Sequence, residues 1–282
     1  MKKIITLLLL TASTAINAQP KVLTQATVTT KTTIVAPEGD EAVQTSTSAD
    51  GGEVRIMRFG GDGETKTTIW VKNDLTKTFS ESEMGRTTVI RDNSKKITTT
   101  IMEMMGKKSG FYATDEEQAE MRKRMDSMMQ SRGGQNVSIG GGANSPATYS
   151  IVYIDESKTI VGYACKKALV ISTRSKDRSD TTSVWYCPDF KIQNLPVTGG
   201  PAVGFGNFNP SSGGMEDLVG FPMQYQRNIN RGRHMTVEVT KLVIDKDVAD
   251  KEFEISKDIE IKPMKDMQNA NGPGFQMRVI NH

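Results

Sequence analysis

Residues 161–187, VGYACKKALVISTRSKDRSDTTSVWYC, decide the fold. Runs rich in Val, Ile, Thr and aromatic residues flank the polar stretch Arg174–Asp180, and such residues suit a pleated, half-buried surface. The pattern predicts two antiparallel strands, Val161–Thr173 and Thr182–Cys187, turning at Lys176-Asp177. Cys165 and Cys187, the only cysteines, stand equally far from Lys176. A symmetrical hairpin sets them opposite each other, with Cα atoms ~4.5–5.5 Å apart, which suits a disulfide. The expectation is a Cys165–Cys187 bridge; the alternative is a pair of buried free thiols. A redox-active pair is disfavoured, because no Cys-x-x-Cys motif is present.

The same chemistry recurs outward in both directions. Strands are expected at Val22–Val35, Glu53–Phe59, Thr65–Val71, Thr76–Ser80, Thr87–Arg91 and Ile97–Glu103, then at Thr148–Ile154, Val219–Ile229 and Met235–Ile244. Turn residues such as Asp50-Gly51-Gly52, Gly60-Gly61-Asp62-Gly63 and Asp92-Asn93 separate them. In the strand from Val219, the residues Val219, Phe221, Met223, Tyr225 and Ile229 share one face. Pro222 cannot donate to a ladder, so this strand begins there or lies at an edge. No fixed-period repeat is present, and neither half looks self-sufficient. Residues 19–262 are therefore read as one β-rich domain, followed by a flexible tail, 263–282.

One helix interrupts the strands, over 114–131. Thr114-Asp115-Glu116-Glu117 is a capping box, in which Thr and the Glu three residues on each satisfy an orphan backbone N–H. Met121, Met125, Met128 and Met129 then recur at helical spacing, with Arg122, Lys123, Arg124 and Asp126 between them. Methionine is flexible and polarisable, so this stripe reads as an adaptable apolar face that packs on the sheet or holds a greasy ligand. A soft metal such as Cu(I) is the weaker reading, because Met-x-x-Met clustering and accompanying His are missing. The helix stops at Gly133-Gly134, and 132–147 reads as a Gly-rich connector.

The start of the chain carries an address. Lys2-Lys3 is a short positive region, Ile4–Leu10 is apolar, and Ile16-Asn17-Ala18 fits a signal-peptidase site. Residues 1–18 are expected to be a signal peptide cleaved after Ala18, which leaves a periplasmic or secreted protein with no membrane anchor. Removing them leaves 34 basic against 33 acidic residues of the original 36 and 33. That balance disfavours nucleic-acid binding, which needs a clustered basic surface.

Catalytic signatures are scarce. The chain holds two histidines, His234 and His282, and lacks Gly-x-Ser-x-Gly, His-Glu-x-x-His and Walker-type sequences. Asp245, Asp247, Asp250 and Glu252 lack the Gly and the terminal bidentate Glu of an EF-type calcium loop, so a solvated turn is expected there. Asn136-Val137-Ser138 is formally a glycosylation acceptor. No metal, cofactor or catalytic residue is assigned.

Two segments carry a resemblance. Arg86–Tyr112, RTTVIRDNSKKITTTIMEMMGKKSGFY, resembles a block of small exported β-proteins related to the outer-membrane lipoprotein carriers. Lys158–Asp189, with KTIVGYACKKALV and VWYCPDF, is similar to the core of GLPGLI-type families of unassigned function. Leu218-Val219-Gly220-Phe221-Pro222 stands where the GLPGLI signature would lie, and Phe253-Glu254-Ile255 resembles the close of such chains with Ser256 in place of Pro. The resemblance implies a mainly β fold: a curved antiparallel half-barrel with one amphipathic helix across its concave face. It transfers no catalytic residue.

Three functions follow in order of preference. The first is a non-enzymatic envelope protein holding a hydrophobic ligand, such as a lipid or acyl chain, or an apolar segment of another envelope protein, against Met121, Met125, Met128 and Met129. The second is a structural or interaction component of the envelope without a small ligand. An enzyme built on paired carboxylates is third.

Overall fold

The computed structural model describes residues 19–35, 37, 43–47, 53–57, 63–83, 85–104, 106–131, 148–175, 178–195, 214–229 and 232–269. The stretch 1–18 expected to be a signal peptide, the stretch 132–147 expected to be a connector, and the expected turns at Asp50, Gly60 and Lys176 lie outside the described residues.

Strands dominate. In the first half they are β1 (Lys21–Leu23), β2 (Gln25–Val35), β3 (Val43–Thr47), β4 (Glu53–Met57), β5 (Gly63–Lys72), β6 (Leu75–Ser82), β7 (Gly85–Asp92), β8 (Ile97–Met104) and β9 (Lys107–Thr114). Helix α1 (Asp115–Ser131) follows. The second half holds β10 (Thr148–Ile160), β11 (Tyr163–Ser175), β12 (Arg178–Cys187), β13 (Phe190–Ile192), β14 (Phe221–Ile229), β15 (Arg233–Val243), β16 (Ile261–Pro263) and helix α2 (Met264–Asn269). Twelve strands form one curved, open sheet in the order β10-β11-β12-β14-β15-β2-β5-β6-β7-β8-β9-β16. Its pairings are antiparallel except the last, where β16 runs parallel to β9. Each strand read from the sequence has its counterpart. The strands not foreseen are β3, β9, β13 and β16; β9 opens on Lys107-Lys108 and carries Gly110, so it shows no alternation.

The two faces differ sharply. In β2, Ala26, Val28, Thr30 and Thr32 are buried, and in β5, Thr67, Ile69 and Val71 are buried, each set at period two. Register then joins them into rows across the sheet. One runs Ala168, Val184, Tyr225, Val237, Thr32, Thr65. Side chains converge on the concave side of a curved sheet and splay apart on the other. We therefore call this buried face the inner face.

The strand from Val219 needs one adjustment. Phe221, Met223 and Tyr225 are buried as expected, but Val219 is 48% exposed and precedes the strand. Gly220 explains it: a Cβ there would strike the Cys187 carbonyl and the Tyr186 ring, so the backbone runs tight against β12 and turns Val219 outward. Pro222 does stand at the strand's beginning, beside an irregularity in the β12–β14 register. The strand itself is interior rather than an edge.

The disulfide expectation is corrected. The hairpin has the anticipated register, with Lys166 opposite Tyr186 and Val170 opposite Thr182, but both cysteines are free, buried thiols. That pairing ends at Lys166–Tyr186. Beyond it Cys165 pairs with Lys158 of β10 and Cys187 with Phe221 of β14. The Cys165 thiol donates to the Tyr163 carbonyl at 3.5 Å rather than meeting the other sulfur. The β11–β12 ladder thus stops one pair short of the two cysteines, and each stays a separate thiol. Burial also pushes the Cys165 thiol up to about 11 and raises Cys187, which suppresses the thiolate that oxidation needs.

A strap crosses the outer face. After β15 the chain passes Gln25, whose side-chain oxygen accepts from Val248 N–H at 3.1 Å, then Lys72 paired with Asp250 at 2.5 Å. Lys77 Nζ donates to the Glu252 carbonyl at 2.6 Å, and Lys108 meets Asp258 at 3.4 Å. The strap then joins β9 as β16. Gly110 permits this, because a Cβ there would collide with the Ile261 side chain. The chain past Pro263 continues as α2, so the tail read as flexible is structured as far as Asn269, and 270–282 lies outside the described residues.

Candidate functional site

The inner face divides into two chemistries. Its first half, over β11, β12, β14, β15 and the near part of β2, presents aliphatic and aromatic groups: Val170, Val184, Tyr225, Val237, Val239 and Val28 are all nearly or fully buried. Over its end lies the segment Met215–Leu218, a short 3-10 turn entered through Gly214 at φ 82°. Met215 and Leu218 belong to the same apolar cluster. The segment runs past Tyr149, against which a Gly214 Cβ would clash, and Val219 N–H donates to the Tyr153 hydroxyl at 3.3 Å. Tyr153 meets the Tyr186 ring edge-on at 5.6 Å between centroids. An apolar flap thus covers this half together with Leu23, Phe190 and Ile192 of β1 and β13, and two glycines let it lie close to β10 and β12.

The second half is lined by hydroxyls. The next row of the ladder reads Val239, Thr30, Thr67, Ser80, Thr87, Met102. Four consecutive strands therefore place a hydroxyl side by side, and Thr78 and Thr100 add two more one row away. All six are buried. Thr67 and Ser80 bond each other at 3.0 Å, whereas the hydroxyls of Thr30, Thr32 and Thr78 meet no partner among the described residues. A buried hydroxyl without a partner costs about 1–3 kcal/mol, so these groups weaken the fold unless something fills their valences. Their methyls pack and their β-branching suits the strand, which explains why threonine serves here at all.

The helix is tied to this half. Arg91 shares the inner face with Thr76 and Thr98, its register neighbours. Its guanidinium grips Asp115, the first residue of α1, at 2.5 and 2.8 Å, and its Nε donates to Asn93 at 2.9 Å. The capping box forms as read: Glu117 N–H donates to the Thr114 hydroxyl at 3.2 Å, and Thr114 N–H donates to the Glu117 carboxylate at 3.0 Å. Of the methionine stripe, Met121 is half-buried, while the side chains of Met125, Met128 and Met129 lie outside the described residues. Lys123, Arg124 and Ser127 are exposed.

The hydroxyl rows, the flap and the Arg91 tether were not anticipated. The rows had a signal: Thr65, Thr67, Thr76, Thr78 and Ser80 recur at period two in TKTTIWVKNDLTKTFS. Among the described residues, no group of acidic, His or Cys side chains could hold a metal, and no helix is long and apolar enough to cross a membrane. The outer face has a cleft of about 200 Å³ beneath the strap, lined by Phe79, Ile90, Ile101 and Ile259 with three cations. Each cation is engaged: Lys77 by the Glu252 carbonyl, Arg86 by Glu81 at 2.8 Å, Lys108 by Asp258.

No family model matches the chain, and no curated protein does. Among solved structures it is similar to PNGF-II, with TM-scores of 0.34 and 0.35 in the P21 and C2 forms. The identity is 14% in both; the match covers 87% of this chain and 33% or 32% of that one. The chain thus spans about a third of PNGF-II. It is also similar to MucB, with a TM-score of 0.37 and 10% identity over 86% of this chain and 60% of that chain. Likenesses this faint carry no argument about activity.

Proposed function

We propose that this is an exported, non-enzymatic envelope protein, released by cleavage after Ala18, whose inner sheet face holds a hydrophobic ligand such as an acyl chain or an apolar segment of another envelope protein. Kinship with the GLPGLI-type and lipoprotein-carrier-like proteins is part of this proposal. One observation carries it: a continuous apolar band on the inner face, from Val170 to Val28, beneath the glycine-flanked flap Met215–Leu218. These side chains are already out of water, so a guest enters by displacing cover, with Met215 and Leu218 as the natural groups to yield. Over β11, β12 and β14 the described inner face offers chiefly methyls and rings, which suit an apolar guest. Native mass spectrometry of protein purified from its own envelope tests the reading. A bound mass of lipid or peptide size supports it; a bare chain that also fails to take up an apolar dye overturns it.

A second reading, a structural or interaction component without a small ligand, draws on a different observation. β10 is a thirteen-residue edge strand whose Tyr149, Val152 and Tyr153 are 40–48% exposed. An edge strand that no described strand pairs on its outer side, bearing apolar groups, is a template for a partner's strand. Cross-linking that captures a specific envelope protein at β10, from protein free of bound lipid, would favour this reading.

A further inference from the structure

Along β14 the inner face changes character. Phe221, Met223 and the ring of Tyr225 are buried; two residues beyond Tyr225, on the same face, stands Arg227. Its place is fixed by register, since Arg227 lies opposite Met235, and Met235 opposite Ile34, both inner-face residues. Arg233 lies opposite Ile229 and is thus diagonal to Arg227 across the same strand pair, at ~7–8 Å between backbones. Both arginines are half-buried, and the Nε of Arg227 is out of water with no hydrogen-bond partner among the described residues. Among the described residues, the carboxylate that the β12 register extended past Ser183 brings toward this face is Asp180. It is exposed, and no ion pair joins it to Arg227 among the described residues. A guanidinium N–H that has left water without finding an acceptor is costly, and an anion would complete it.

We propose that Arg227 receives the carboxylate or phosphate head of an anionic amphiphile whose apolar tail lies along Tyr225, Met223 and Phe221 toward the Met215–Leu218 flap. This rests on the binding reading above and names its ligand class. The geometry suits a linear molecule: Arg227 to Phe221 spans roughly 20 Å at the strand rise, with charge at one end and apolar cover at the other. Arginine presents a planar fork that takes a carboxylate or phosphate through two parallel hydrogen bonds, which fixes the head and the direction of the tail.

The test uses the mature protein with cis-parinaric acid, its methyl ester and inorganic phosphate, followed by probe fluorescence. The acid should bind about tenfold or more tighter than the ester, the worth of one desolvated charge-assisted contact. Arg227→Gln should remove that preference while leaving the ester's affinity unchanged, and Arg227→Lys should keep part of it. Phosphate should weaken the acid and not the ester. Acid and ester binding equally to wild type, a comparison that needs no variant, overturns the head-group site and leaves the apolar-binding reading standing. Protection of the wild type by phosphate, lost in Arg227→Gln, with neither acid nor ester bound, overturns the amphiphile and the carrier reading together. It would mark a free-anion site instead.

Discussion

Arg91 and Asp115 join the sheet to the helix: both guanidinium Nη atoms of Arg91 reach the carboxylate that opens α1, at 2.5 and 2.8 Å. Asp115 N–H also donates to the Lys96 carbonyl at 3.1 Å, so the start of the helix is held at two points to the β7–β8 hairpin. Because Arg91 belongs to the inner face, the helix leaves from that side of the sheet. An acid at a helix N-terminus is favourable in its own right, since it meets the positive end of the backbone dipole.

The first prediction concerns acid. The Arg91 hydrogen bond holds the Asp115 carboxyl below its ordinary range. A group depressed in the fold contributes stability above its unfolded value of ~3.9 and loses it as pH falls through the folded value. Hydrogen exchange of the first turn of α1 should therefore accelerate below about pH 4. Asp115→Asn should abolish that step. Asp92, held at about 2 chiefly by the Ser94 hydroxyl, titrates lower and remains as an internal reference. An unchanged acid step in Asp115→Asn would show that the tether does not set helix stability.

The second prediction concerns the cap. Thr114→Ala removes the acceptor for Glu117 N–H and should cost about 1 kcal/mol, seen as faster exchange in α1 before any global unfolding. Glu117→Gln keeps a reciprocal acceptor for Thr114 N–H and should cost less. Equal losses would mean that the box is not the helix's start signal.

How much of this was legible depends on what a residue pattern encodes. Period two in Thr65–Val71 and Thr76–Ser80, and the symmetry about Lys176, are local, and the sheet follows them. The capping box is local too, and it forms. The disulfide depended on the ladder continuing one pair past Lys166–Tyr186, and the symmetry about Lys176 does not say where a ladder ends. The strap's docking on β9 joins residues 150 apart, Lys108 and Asp258, and no short window contains it. Threonine's ambiguity hid the hydroxyl rows: the residue that favours strands also carries a polar group, and only the register shows Thr30, Thr67, Ser80 and Thr87 side by side.

The third prediction concerns the strap. Gly110→Ala places a methyl against the tip of the Ile261 side chain, which must turn aside and loosen the packing of β16 on β9. Mild overpacking of this kind costs about 1 kcal/mol. Proteolysis within 245–263 should accelerate, whereas Ser109→Ala, at an exposed neighbour, should leave it unchanged. Identical digestion of both variants would show that strap docking does not depend on the missing side chain.

The fourth prediction concerns the thiols. Burial raises both, Cys165 to about 11, so the folded state keeps them protonated. Stability from this source is complete below the unfolded value of ~8.5 and falls as pH rises toward the folded one. Neither thiol should react with a disulfide reagent at pH 8 until the chain unfolds, and then both should. An intact mass two hydrogens lighter in protein isolated without reductant would restore the bridge.

The fifth prediction separates the two kinds of inner-face hydroxyl. Thr78 is 6% exposed and its oxygen has no partner among the described residues, whereas Thr67 is fully buried and bonds Ser80 at 3.0 Å. Valine has nearly threonine's shape, so each exchange chiefly deletes a hydroxyl. Thr78→Val removes an uncompensated desolvation and should stabilise the protein by about 1 kcal/mol. Thr67→Val removes a made bond and strands Ser80, so it should destabilise by about 1–2 kcal/mol. Chemical denaturation of the two variants reads the difference as midpoints moving in opposite directions at constant slope. Should Thr78→Val instead destabilise, a water or a guest fills that valence in the native state. Adding a polar amphiphile should then stabilise wild type more than Thr78→Val. If Thr78→Val is more stable and binds every amphiphile as well as wild type does, these hydroxyls serve only the strand. In that case ligand recognition rests on the apolar band alone.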